Sequence, residues 1–119
     1  MKCLPLYHGI DLVRSLTTGT VGAFQLVNVA YLTTMGLAME AAAKRKIGFV
    51  VLDRPNPLGG EIIEGQILDS GIRHFTAYYR VPVRHGLTAG ELARWYNKSA
   101  GLGAKLTVIP MVGWKRPYL

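Results

Sequence analysis

The feature that most constrains this chain is an unbroken apolar run at residues 47–52 (IGFVVL), directly after a helical pattern. A run that is β-branched and does not alternate predicts a strand buried on both faces. The helix before it is predicted from apolar positions at three- and four-residue spacing: Tyr31, Met35, Ala38, Met39 and Ala42. A basic run at residues 44–46 then meets the negative end of the helix dipole.

A second helix and strand follow in the same order. Thr88 and Glu91 match a capping box, which predicts a helix from residue 89 to about residue 100, ended by Gly101 or Gly103. Residues 106–110 (LTVIP) predict a second strand. Two helix–strand units predict an α/β fold, a fragment of an α/β sandwich with parallel strands.

Between these units the chain is irregular. The loop at residues 54–60 (RPNPLGG) is predicted to be stiff, because its two prolines fix φ while its glycines allow positive φ. Residues 75–83 are aromatic and β-branched, which predicts an extended segment, with Pro82 keeping it off a central position in a sheet.

Composition excludes several classes of site. One cysteine excludes an internal disulfide, and three scattered histidines do not form a zinc motif, so neither a metal nor a cofactor is expected. Residues 15–39 carry no charge, but their threonines, glycines and amides are too polar for a membrane span. Asp11 lies where a signal peptide would be basic, so no signal peptide is visible.

The net charge of +7 invites a polyanion partner, such as nucleic acid or anionic lipid. The cations are dispersed, however, and the single basic run is better interpreted as the solvated end of a helix. We therefore expect no nucleic-acid partner. A small basic module that binds polyanions without catalysis stays the alternative function.

Two groups of polar residues could carry chemistry. In the first, Asp53, Arg54 and Asn56 precede Glu61 and Glu64. Carboxylates for proton transfer beside planar groups that hold hydroxyls or an anion suit a sugar site. The structural alternative is that Asp53 pairs with Arg54 or caps a loop while the glutamates are solvated. Composition alone favours that alternative.

The second group lies in residues 82–88 (PVRHGLT), at the start of the predicted second helix. Arg84, His85 and helix amides that converge there would form a carboxylate or phosphate site. A surface loop in which His85 completes a turn is an equally good interpretation.

These same segments resemble the exo-β-N-acetylmuramidase family (NamZ type) over about residues 31–116. The resemblance is carried by residues 51–60 (VLDRPNPLGG), 64–65 (EG), 78–79 (YY), 82–88 (PVRHGLT), 90–93 (GELA) and 106–111 (LTVIPM), and by Gly113, Trp114 and Arg116. Motifs this long and this ordered are specific.

The resemblance implies a glycoside hydrolase that removes terminal N-acetylmuramic acid from peptidoglycan fragments. It implies a Rossmann-like domain followed by a smaller one, with the active site between them. Carried over to this chain, the catalytic carboxylates would be Glu64 and, second, Asp53. The substrate-binding residues would be Arg54, Asn56, Arg84 and His85. Arg84 or Arg54 would bind the lactyl carboxylate, since a guanidinium matches that anion.

The chain also departs from the family. Residues 1–30 are left unassigned, with no Glu-His-Gly segment, and residues 31–119 are expected to form part of the Rossmann-like domain without the second domain. We therefore expect an incomplete domain that does not hydrolyse substrate alone, an inactive fragment being the further alternative. Its partner would be a peptidoglycan-derived sugar or muropeptide. The resemblance suggests the cell envelope or the extracellular space.

Overall fold

In a computed structural model of the chain, the described residues are 22–67, 69, 71, 73–75 and 78–117, with side chains from residue 30 onward. Within these residues four elements follow one another: α1 (Gly22–Lys44), β1 (Phe49–Leu52), α2 (Ala89–Ser99) and β2 (Leu106–Ile109). The predicted order of helices and strands, and with it the α/β class, is confirmed. The expectations for residues 1–21 lie outside the described residues.

Helix α1 begins at Gly22, nine residues before the predicted helix start at Tyr31. The sequence pattern missed this first part because residues 22–30 (GAFQLVNVA) combine a glycine and two valines with no clear apolar period. No helix within the described part of the chain is long and apolar enough to cross a membrane.

The C-terminus of α1 is closed by a Schellman motif. Lys46 adopts a φ of 56°, in the left-handed region. The amide of Ile47 donates to Ala42 O at 2.9 Å, and that of Lys46 donates to Ala43 O at 3.0 Å. These bonds satisfy carbonyls that the helix leaves free. The basic run therefore ends a helix, as predicted.

Strands β1 and β2 pair in parallel, with Phe49 opposite Leu106 and Leu52 opposite Ile109. The parallel pairing is confirmed. The expectation of a strand over residues 47–52 buried on both faces is wrong, since β1 begins only at Phe49 and both Val50 and Leu52 are 60% exposed. The physical reason is that α1 and α2 pack against β1, where Val51 is buried, and no described element covers the face of Val50 and Leu52.

Helix α2 has the predicted capping box. The Glu91 amide donates to Thr88 Oγ1 at 3.1 Å, and the Thr88 amide donates to Glu91 Oε2 at 2.9 Å. The helix ends in a second Schellman motif, in which Gly101 has a φ of 61° and the amide of Leu102 donates to Asn97 O. Gly101, rather than Gly103, ends this helix.

The expected extended segment at residues 75–83 is not a strand in its described part, where residues 79–81 and Val83 form bends. Tyr78 and Tyr79 are consecutive and both buried, so burial here does not alternate as it does in a strand with one solvated face. Pro82 also lacks the amide that a ladder would need. Residues 76 and 77 lie outside the described residues.

The core contains a cluster of three tyrosines around one carboxylate. The rings of Tyr79 and Tyr96 pack edge to face at 4.8 Å, and those of Tyr78 and Tyr79 at 5.1 Å. The hydroxyls of Tyr78 and Tyr96 and the guanidinium of Arg73 all donate to Glu40 Oε1. Burial alone would raise the pKa of Glu40, but these bonds lower it from 4.5 to about 2. The cluster fastens α1 to α2.

Candidate active-site cavity

A cavity of about 310 Å³ lies where the carboxyl end of β1 meets α1 and the start of α2. Parallel sheets commonly bind ligands at this edge. The polar residues that line it are Arg54, Asn56 and His85, with the ring of Tyr31. The remaining lining is mostly apolar: Leu32, Met35, Val51, Leu52, Pro55, Leu87 and Ala89.

Asp53 follows β1 and caps helix α2. Its Oδ1 accepts from the Gly90 amide at 2.7 Å and from the Arg54 amide at 2.9 Å, and its Oδ2 accepts from Thr88 Oγ1 at 3.1 Å. Three donors therefore hold this carboxylate at the positive end of α2. It does not line the cavity, and its contacts favour the structural alternative for this residue.

Arg54 and Asn56 project from the loop after β1. The Arg54 guanidinium donates to Asp53 O at 2.8 Å, its only side-chain hydrogen bond to described residues, so its other N–H groups are available. Asn56 is 4% exposed, and its Oδ1 accepts from the Leu58 amide at 3.0 Å. The amide of Gly59, which has a φ of 87°, donates to Asn56 O. These bonds fix the loop in the defined shape that its prolines and glycines predicted.

His85 is 8% exposed and meets Asn56 at the cavity wall. Its Nδ1 accepts from the Leu87 amide at 3.0 Å and lies 3.5 Å from Asn56 Nδ2. Burial lowers the pKa of the imidazole below its ordinary value, since a buried ring loses the hydration of its charged form. His85 therefore completes a turn and also lines the cavity, whereas an anion site at this residue stays a prediction.

Arg84 and Glu64 form a pair that does not line the cavity. Arg84 Nη1 donates to Glu64 Oε2 at 2.9 Å, and Arg84 Nε donates to Leu58 O at 2.8 Å. The two residues also form an antiparallel bridge through their backbones. The Glu64 side chain is 64% exposed. The pair ties the loop after β1 to the segment before α2.

Arg116 links two loops beside the cavity through hydrogen bonds to their backbone carbonyls. Its Nη1 donates to Gly60 O at 3.1 Å and to Gly86 O at 3.0 Å, and its Nη2 donates to the Glu91 carboxylate. Gly86 has a φ of 66°, and a Cβ there would lie 3.2 Å from Gly60 O, so the close approach of the two loops requires glycine.

The structure thus brings together three of the six predicted site residues: Arg54, Asn56 and His85. Helix α1 also contributes Tyr31, Leu32 and Met35 to the cavity lining, which was not predicted. Their helical spacing was visible, but apolar periodicity marks a core face as readily as a cavity wall. No group of residues suited to hold a metal ion occurs in the described part of the chain.

Comparisons with known proteins agree on one family. The profile of the family described as "Exo-beta-N-acetylmuramidase NamZ, N-terminal" matches residues 28–119. The peptidoglycan beta-N-acetylmuramidase NamZ of Bacillus subtilis (strain 168) is 51% identical over 86 residues, which are 72% of this chain and 21% of that protein. The chain therefore spans about a fifth of the length of this curated relative.

Two crystal structures of DUF1343 family proteins from Bacteroides fragilis are similar to the chain. One has a TM-score of 0.70 at 46% identity, and the match covers 75% of this chain and 24% of the chain in that structure. The other has a TM-score of 0.67 at 33% identity, and the match covers 74% of this chain and 26% of the chain in that structure.

Proposed function

The chain belongs to the exo-beta-N-acetylmuramidase NamZ family, and from this premise we propose that its cavity binds the terminal N-acetylmuramic acid of peptidoglycan fragments. The chain would provide this cavity as part of the substrate-binding site of a glycoside hydrolase. The observation that carries the proposal is the cavity itself, whose lining combines Arg54, Asn56 and His85 with apolar side chains. Sugar sites combine apolar surface for ring C–H groups with a few polar groups that fix orientation.

Arg54 is the best partner for the lactyl carboxylate that distinguishes N-acetylmuramic acid from N-acetylglucosamine. Arg54 lines the cavity, and its guanidinium has N–H groups not bonded to described residues. Arg84, the other candidate, already donates to Glu64 and Leu58. Tyr31 is 73% exposed and lines the same cavity, so its ring is available to pack against a sugar face.

The catalytic roles of Glu64 and Asp53 stay predictions. Proton transfer requires a carboxyl within hydrogen-bonding reach of the glycosidic oxygen. Asp53 is held by Gly90, Arg54 and Thr88, and neither carboxylate lines the cavity. We propose that Asp53 positions α2 and that Glu64, through Arg84, positions the loop after β1.

We further propose that the net charge of +7 does not serve to bind nucleic acid. The basic run ends α1, where cations offset the helix dipole. Arg73, Arg84 and Arg116 each form an ion pair with a described carboxylate. Three of the fourteen cations thus have a carboxylate partner within the described residues, which supports the proposal.

Arg54→Gln tests the proposal in a calorimetric titration of the chain with N-acetylmuramic acid and with N-acetylglucosamine. The wild-type chain is expected to bind N-acetylmuramic acid more tightly. Arg54→Gln is expected to weaken that binding about tenfold and to leave N-acetylglucosamine binding unchanged, because one hydrogen bond between charged groups contributes about 1.5 kcal/mol. Arg45→Gln, which removes an exposed cation at the end of α1, is the matched control.

Equal affinity of the wild-type chain for the two sugars would contradict the proposal. An Arg45→Gln variant that loses as much affinity as Arg54→Gln would also contradict it, since the effect would then follow net charge rather than the cavity.

A further inference from the structure

The ring of His85 is held by two groups that can only donate. The Leu87 amide donates to Nδ1 at 3.0 Å, and a backbone amide has no acceptor. Asn56 Nδ2 lies 3.5 Å from the same nitrogen, and an amide nitrogen likewise only donates. A protonated Nδ1 would direct its hydrogen at both groups, so Nδ1 must carry the lone pair.

The orientation of the Asn56 side chain is itself fixed. Its Oδ1 accepts from the Leu58 amide at 3.0 Å, and a rotated side chain would turn Nδ2 towards that N–H. The Leu58 amide therefore determines which atom of Asn56 faces His85. The bond to Leu58 thus acts through Asn56 on the tautomer of the histidine.

We infer that His85 is a fixed hydrogen-bond donor of the cavity, with its single proton on Nε2, and that Asn56 is the positioning residue that keeps it so. Because the Nδ1 edge faces Leu87 and Asn56, the edge left for a ligand is Nε2–H. His85 then binds an acceptor oxygen, such as a hydroxyl, carbonyl or carboxylate oxygen, and does not accept a proton from a ligand.

The inference also indicates which chemical groups of a sugar suit the cavity, and this step rests on the proposed function. Arg54 and His85 present donors, and none of the described residues that line the cavity is a carboxylate. An acetamido carbonyl suits such a lining, whereas the ammonium group of a de-N-acetylated muramic acid does not.

The test uses two-bond ¹H–¹⁵N correlation spectra of the three histidine rings in the whole chain without ligand, at neutral pH. His85 is assigned by the signals lost in His85→Gln. The expected spectrum has an unprotonated Nδ1 and a protonated Nε2. A proton on Nδ1, or on both nitrogens, would overturn the inference. Since no sugar is present, this result is independent of the proposed function.

Asn56→Asp is the decisive variant, because it keeps the shape of the side chain and its bond to Leu58 while replacing the donor at Nδ1 with an acceptor. A carboxylate beside an imidazole favours a proton on the facing nitrogen. The ring of His85 is therefore expected to gain a proton at Nδ1 in this variant, at the cost of the bond from the Leu87 amide to that nitrogen. An unchanged His85 spectrum would show that Asn56 does not position the ring.

Affinity measurements on two variants then distinguish the N–H donor of His85 from the space that its ring fills. Glutamine carries an N–H donor near the position of Nε2, whereas phenylalanine fills the space without a donor. His85→Gln is expected to keep affinity for N-acetylmuramic acid within about threefold of wild type, and His85→Phe to lose about tenfold. Equal losses in both variants would contradict a donor role, whereas a wild-type chain that fails to bind the sugar would contradict the proposed function.

Discussion

Replacing Glu40 with glutamine is expected to lower the free energy of unfolding by about 3 kcal/mol at neutral pH. Burial alone would raise the pKa of this carboxyl, but hydrogen bonds from Tyr96, Tyr78 and Arg73 lower it to about 2 in the folded chain, against 4.5 as the ordinary value. Each unit of difference corresponds to about 1.4 kcal/mol. Glutamine resembles the protonated acid, so the substitution removes the part of the stability that depends on the charge of Glu40.

The same residue predicts how stability depends on pH. A folded pKa below the unfolded one means that the contribution of Glu40 is complete above about pH 4.5. It is then lost progressively as the pH falls towards about 2. Urea unfolding of the wild-type chain between pH 7 and pH 2 should show this loss, and Glu40→Gln should lack it. Glu61→Gln, at an exposed glutamate, is the control. Equal stability of the two variants at pH 7 would contradict the prediction.

Replacing Gly36 with alanine is expected to destabilise the chain by about 2 kcal/mol, although alanine favours helices. A Cβ at this position of α1 would lie 2.5 Å from Tyr79 Oη and 2.6 Å from Tyr78 Cε1. The gain in helix propensity is about 1 kcal/mol. Inserting a methyl into a packed core costs about 1–3 kcal/mol. Moving the ring of Tyr79 also strains its bond to Leu32 O at 2.6 Å, so the steric cost dominates.

Gly48→Ala is the matched control, because a Cβ there would have no neighbour within 4 Å. Its free energy of unfolding is expected to stay within about 0.5 kcal/mol of wild type. Thermal unfolding of both variants measures the difference. A Gly36→Ala variant more stable than wild type would show that propensity, rather than contact with the tyrosines, governs this position.

Local chemistry made the second half of the fold predictable from sequence. The capping box of Thr88 and Glu91 uses residues three apart, and the left-handed position that ends α2 is occupied by Gly101. Neither feature depends on distant parts of the chain. The same holds for the loop after β1, whose prolines and glycines limit its backbone.

Features that depend on distant contacts were not predictable. Whether Val50 faces a core or solvent depends on which elements cover the sheet, and an apolar run does not record that. Glu40 stands four residues before a basic run, and nothing local indicates that Tyr78 and Tyr96 donate to it. Likewise, the sequence grouped Glu64 with Arg54 because they are close along the chain, whereas the fold pairs Glu64 with Arg84.

Amide chemical-shift mapping shows directly whether the cavity at the end of β1 binds N-acetylmuramic acid, as we propose. The ¹⁵N-labelled chain is titrated with the sugar, and the shifted amides are assigned. The predicted result is a set of shifts concentrated at residues 31–35, 51–56 and 85–89, the three segments that contain the residues of the cavity lining. Shifts confined to the basic residues 44–46, or no shifts at saturating sugar, would contradict it.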